Sequence, residues 1–247
     1  YRAVGMMKSG EHKQFGLKRK ERRDLATDQA LFSKVFTYVL QVLNVPPNIE
    51  IFFRPDQQGE LQVANAREKQ QYIPSIVVGQ GMLAGRSDKD LAFPIATFLT
   101  KMRPEHYLRQ IIPTNTELSV AVMAAIRMVS PNFNVPVDKL QLVEQYIQAM
   151  RQYLPQASAE HLQMVVQRFI QAKAQLDMAK WAQAVDLTSH RTGLIIANDL
   201  SLAARFIGQE PTTVGGMQPK DKVKELLMYS ISPAYFELRQ LLGIAIG

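Results

Sequence analysis

The chain has 247 residues, 47% of them apolar, with 13 Gly, 13 Pro and no Cys. That apolar share supports a packed core, and ordinary Gly and Pro content excludes collagen-like or low-complexity chains; the missing Cys excludes disulfides, thiol nucleophiles and Cys-ligated metal. Lys and Arg total 29 against 22 Asp and Glu, a formal charge of +7, and that excess is unevenly placed. A cysteine-free chain suits a reducing compartment, so a cytoplasmic location is expected. No apolar run reaches the roughly 20 residues that span a bilayer, and Tyr1-Arg2 does not open a signal peptide. A first residue other than Met suggests a piece of a longer protein.

Positive charge crowds the beginning: Lys8, Lys13, Lys18, Arg19, Lys20, Arg22 and Arg23 face only Glu11, Glu21 and Asp24. Residues 1–28 are expected to be a solvated linker from an upstream region, with nucleic-acid binding through a basic arm as the alternative. Between Lys8 and Arg23, Phe15 is the one Phe, Tyr or Trp for stacking, which disfavours that alternative.

Apolar residues Phe32, Val35, Phe36, Val39 and Leu43 follow the 3.6-residue period and predict a helix from Leu31 to Leu43, stopped by Pro46-Pro47. Three strands are predicted next, at Ile49–Arg54, Glu60–Ala64 and Tyr72–Val78. The run Ile76-Val77-Val78 reads as a strand buried on both faces. Ser87-Asp88-Lys89-Asp90 predicts a capped helix start, and the helix behind it is apolar around most of its circumference, with Pro94 in its second turn. Further helices are predicted at Glu117–Val129, Leu140–Leu154, Ala159–Ala172, Met178–Ala197, Leu200–Ile207, Lys220–Tyr229 and Ala234–Leu242, broken at Pro131, Pro136, Pro155, Pro211 with Gly215-Gly216, and Pro233. The expected fold class is α+β, predominantly helical, with a small N-terminal sheet packed on a helical body over 29–247.

Phosphate-loop, dinucleotide and nucleophile-elbow motifs are absent. The histidines His12, His106, His161 and His190 offer no pair spaced for zinc on one helix. Trp181 and the methionines in helical patterns read as packing, and no catalytic role is expected for the neighbours Glu105 and His106.

The segments Ile76-Val77-Val78-Gly79-Gln80-Gly81-Met82-Leu83 and Ser87-Asp88-Lys89-Asp90-Leu91-Ala92 resemble the approach to the catalytic helix of zinc endopeptidases of the CAAX-prenyl-protease and heat-shock-peptidase type. In that family I-V-V-T-x-G-L-L precedes S-D-x-E-L-x-x-V-L-A-H-E-L-x-H. Leu43-Asn44-Val45-Pro46-Pro47, the strand from Ile49 and Asn65-Ala66 are similar to the family's upstream helix end, strand and Asn-Ala segment. Asp186 to Leu194 is similar to its E-x-x-A-D-R-x-G-L helix, whose Glu is the third zinc ligand. Counted from Leu91, the resemblance puts the first zinc His on Thr97, the catalytic Glu on Phe98 and the second His on Lys101. The third ligand falls on Asp186 and the family's Asp on His190.

Thr97 is a poor ligand, Phe98 accepts no proton and protonated Lys101 repels a dication, so a degenerate site of Thr97, Phe98, Lys101, Asp186 and His190 is expected, with no cofactor. Lys101, four residues from Thr97 on one helix face, is expected to pair with Asp186 in place of metal. The resemblance extends to the C-terminal part of long bacterial tetratricopeptide-repeat proteins. It implies a non-catalytic peptidase-like module for protein partners or an upstream repeat domain, with a peptide edge at Leu61, Val63 and Asn65. The competing expectation is a hydrolase using Asp186, His190 and Glu105.

Overall fold

The computed structural model describes residues 1–45, 49–210 and 217–243. The chain begins with α1 (Arg2–Met7), β1 (Gly10–Glu11), two 3-10 turns (His12–Phe15 and Arg19–Glu21) and β2 (Arg22–Arg23). The helix α2 (Leu31–Val42) follows, then β3 (Glu50–Arg54), β4 (Leu61–Ala64), β5 (Ala66–Glu68), β6 (Gln71–Tyr72) and β7 (Ser75–Gly79). Next come α3 (Gln80–Leu83), α4 (Asp88–Met102), α5 (Leu108–Ile111), α6 (Asn115–Val129), α7 (Leu140–Tyr153) and α8 (Gln156–Gln171). The chain then forms α9 (Met178–Ala197), α10 (Leu200–Gly208), α11 (Pro219–Ser230) and α12 (Pro233–Leu241). The α+β, predominantly helical class is therefore observed. The predicted stops at Pro46-Pro47 and at Pro211 with Gly215-Gly216 lie outside the described residues.

Four strands form a mixed sheet in the order β2-β3-β7-β4, with β3 and β7 parallel and the outer pairs antiparallel. A second small sheet runs β1-β5-β6. The strand expected at Tyr72–Val78 is split between the two, because Pro74 has no N–H to donate to a continuous ladder. All of β7 is buried. On one face, Ile51, Ile76 and Val78 meet Phe36 of α2 and Leu91, Ile95 and Leu99 of α4 in the main core. On the other face, Phe52 and Val77 pack with Leu17.

That second cover corrects the linker expectation for residues 1–28. Leu17 closes the outer face of the sheet, β1 pairs with β5, and β2 extends the sheet beyond β3. Ala3 and Val4 of α1 are buried with Leu118, Ala121, Val143 and Tyr146 of α6 and α7. A Cβ on Gly5 would lie 2.5 Å from the Tyr72 ring, so α1 approaches β6 at a distance only glycine allows. The sequence signal was weak because few large apolar residues spread along many charges bury this stretch through contacts distant in the chain. A third cluster joins Phe93 of α4 to Leu194, Ala203, Ile207, Leu226 and Tyr235 on α9 to α12. Among the described residues no helix is long and apolar enough to cross a membrane.

Gly5→Ala is expected to destabilise the protein by about 1–3 kcal/mol through overpacking against Tyr72, read as a fall in the urea midpoint. Deleting residues 1–28 should remove cooperative unfolding altogether; an unchanged melting temperature would show the stretch to be dispensable.

Candidate functional site

The two helices that the resemblance singles out, α4 and α9, pack as an antiparallel pair. On α4, Phe93, Thr97 and Lys101 recur at intervals of four; on α9, Asp186, His190 and Gly193 recur at four and three, so each set forms one stripe. Lys101 lies against Asp186 at one end of the seam, and Phe93 against Gly193 at the other. The α9 backbone comes so near that a Cβ on Gly193 would sit 2.6 Å from Thr97 Oγ1 and 2.8 Å from the Phe93 ring.

Asp186 is the electrostatic centre. Its side chain is 5% exposed, with Lys101 Nζ 2.9 Å from Oδ1 and Arg109 Nη2 donating to Oδ2 at 3.2 Å. The Lys101 contact is an ion pair whose alignment falls short of hydrogen-bond geometry. Burial by itself would raise the Asp186 pKa, but Lys101 and then Arg109 outweigh it and hold the carboxyl below the ordinary range. The pairing expected from the sequence is thus present, with a second cation that sequence reasoning missed. Arg109 sits on the four-residue helix α5, and no local pattern aims it at a residue 77 positions away.

One turn along α9, His190 belongs to a different cluster. Its ring stacks on Phe93 with centroids 6.5 Å apart, and its Nε2 is 2.8 Å from Glu210 Oε1. Lys222 Nζ, on a side chain 2% exposed, donates to the other Glu210 oxygen at 2.8 Å. Burial opposes ionisation of Glu210, yet His190 and Lys222 together bring its pKa down to about 2. An ionised carboxylate only accepts, so His190 Nε2 carries the proton and donates. Glu210 and Lys222 were invisible in the sequence, since they join the ends of α10 and α11 to α9 purely through space.

The remaining candidates are occupied otherwise. Phe98 packs against the main core, and Thr97 Oγ1 is buried without a hydrogen-bond partner. Glu105 accepts from Arg103 Nε at 2.5 Å, and His106 Nδ1 lies 3.0 Å from the Thr100 carbonyl oxygen. Asp186, His190 and Glu105 therefore each make their polar contacts with a different partner, and no hydrogen bond or ion pair links the three as a hydrolase set. Zinc does not fit the seam either, because two cations already hold its carboxylate, Asp186, and the hydroxyl of Thr97 is a poor ligand. Among the described residues no three His, Cys, Asp or Glu side chains converge as metal ligands.

The expected peptide edge divides in two. β4 is an outer strand of the four-stranded sheet. Gly79 N donates to Glu60 O at 2.7 Å, so antiparallel alternation turns the backbone groups of Leu61 and Val63 away from β7. Asn65 is committed elsewhere, which corrects its assignment to the edge. Its carbonyl accepts from Gly10 N, its Nδ2 donates to Gly5 O at 2.9 Å, and its Oδ1 accepts from the Tyr72 and Tyr107 hydroxyls. Comparison with protein-family models, with curated proteins and with solved structures returned no match to the chain.

Asp186→Ala should cost about 3–5 kcal/mol, because it strands two largely buried cations; Lys101→Met should cost less, since Arg109 still neutralises the carboxylate. Urea unfolding of the two variants checks the order. Glu210 has a folded pKa of about 2 against 4.5 when free. Its contribution, about 3 kcal/mol at roughly 1.4 kcal/mol per unit, is therefore full above pH 4.5 and lost as pH falls through 2. Glu210→Gln should flatten the stability profile in that acid window.

Proposed function

We propose that the protein is a non-catalytic, peptidase-like module that binds extended peptide along the β4 edge. The observation that carries this reading is the Lys101–Asp186–Arg109 cluster. At the position where the resemblance expects a third zinc ligand, the carboxylate is already neutralised by two side chains of the protein itself. Thr97 and Phe98, at the first-ligand and general-base positions, offer neither a lone pair suited to zinc nor a proton acceptor at neutral pH. The helix pair keeps a stripe of interacting polar groups, but those groups serve to join α4 and α9.

An unpaired strand edge beside such a helix remains suited to recognition. An added strand gains main-chain hydrogen bonds from Leu61 and Val63, while alternate side chains meet the surface beside β4. Partners of this kind agree with a role in a larger repeat protein, whose arrays also present extended binding surfaces.

The reading is tested with extended peptides selected for binding by display. Val63→Pro removes one outward N–H without removing a bond to β7, so folding should survive while affinity falls about tenfold, the equivalent of roughly 1.4 kcal/mol. The same protein should leave casein intact with zinc supplied. Zinc-dependent cleavage abolished by Asp186→Ala would overturn the proposal, as would peptide binding indifferent to Val63→Pro.

A further inference from the structure

The basic stretch that was expected to be a solvated linker is folded into the wall of a cleft, and its charges are arranged there. A cleft of about 720 Å³ opens between the 3-10 turns, β2 and β5. Leu17 and Phe52 form its apolar floor, and Lys13, Arg19, Arg22, Arg67 and Lys69 stand around it with Glu11, Glu50 and Glu68. Five cations thus meet three carboxylates, and their depths differ. The side chains of Lys13, Arg19 and Arg22 are 80%, 98% and 58% exposed, whereas Glu50, which pairs with Arg22 and His12, is 11% exposed and Glu11 and Glu68 are each 53% exposed. In each of the three ion pairs Lys13–Glu11, Arg19–Glu68 and Arg22–Glu50 the cation is therefore the more exposed partner. No contact within hydrogen-bonding or ion-pairing distance engages the charged groups of Arg67 and Lys69. Beside the cleft, β2 is the other outer strand of the four-stranded sheet, with no strand on its far side among the described residues.

We propose that this cleft is a docking site for an acidic, extended peptide segment, distinct from the β4 edge and independent of how that edge is read. A positive rim steers and holds carboxylates, the floor at Leu17 and Phe52 accepts an apolar side chain between them, and the neighbouring strand edge suits an extended backbone. A nucleic-acid strand fits less well. Its uniform phosphate charge would run against three glutamates, and the two rings that line the cleft, His12 and Phe52, already pack against each other.

The test is fluorescence anisotropy with a labelled Glu/Ser peptide carrying one central Leu, against a labelled oligo-dT strand, at low and at physiological salt. The peptide should bind more tightly than the oligonucleotide, and weaken as salt screens the rim. Arg67→Glu with Lys69→Glu, which removes no ion pair, should raise the peptide Kd about tenfold or more. Lys224→Glu, an exposed charge change on distant α11, should leave it unchanged. Circular dichroism melting confirms that both variants are folded. Absence of peptide binding at low salt, tighter binding of oligo-dT, or equal weakening by Lys224→Glu would each overturn the assignment.

Discussion

The seam between α4 and α9 depends on one buried carboxylate. Asp186 carries negative charge in a place where a lone ion is costly, and two cations from different helices approach it within 3.2 Å. Lys101 ties α9 to α4, and Arg109 ties it to α5. Because charge pairing inside a protein tolerates little displacement, these contacts fix the sliding register of the two helices. The same register puts Gly193 under Thr97 and stacks His190 on Phe93. From there Glu210 and Lys222 extend the polar chain to α10 and α11. The helical body is therefore joined along a ladder of charged and polar pairs running between apolar clusters.

Such a ladder makes a physical argument about chemistry. A hydrolytic metal site needs ligands left free to bind and a base left free to take a proton. Here each charged group on the seam is taken up by another side chain. The arrangement that neutralises Asp186 internally is the one that leaves it nothing to offer a dication. The two surfaces proposed above for interaction are peripheral to this seam: the outer edge of β4 on one side of the sheet and the charged cleft beside β2 at the other end. Both lie on the sheet, whose two faces are covered by helices and by the N-terminal segment.

Much of the architecture was legible along the chain because it is local. Amphipathic spacing, Ser87 as a cap and prolines at the breaks locate α2, α4 and α6 to α12, and α9 spans Met178–Ala197 as its pattern predicts. The apolar run of β7 announced burial on both faces. What it did not name was the second cover, supplied by Leu17 from a segment whose charges suggested a linker. The pairing of Lys101 with Asp186 was readable only through the order of family-like segments, since 85 residues separate the two. Arg109, Glu210 and Lys222 had no such guide.

By itself, the sequence determined the helices and the buried strand, because backbone preference and side-chain chemistry are properties of residues and their near neighbours. Tertiary structure alone decided that residues 1–28 close the sheet, that Asn65 ties β5 to α1, and that Asp186 has two cations for company. Those outcomes rest on desolvation and ion pairing between groups far apart in the chain, and such energies exist only once folding has brought the groups within a few ångströms.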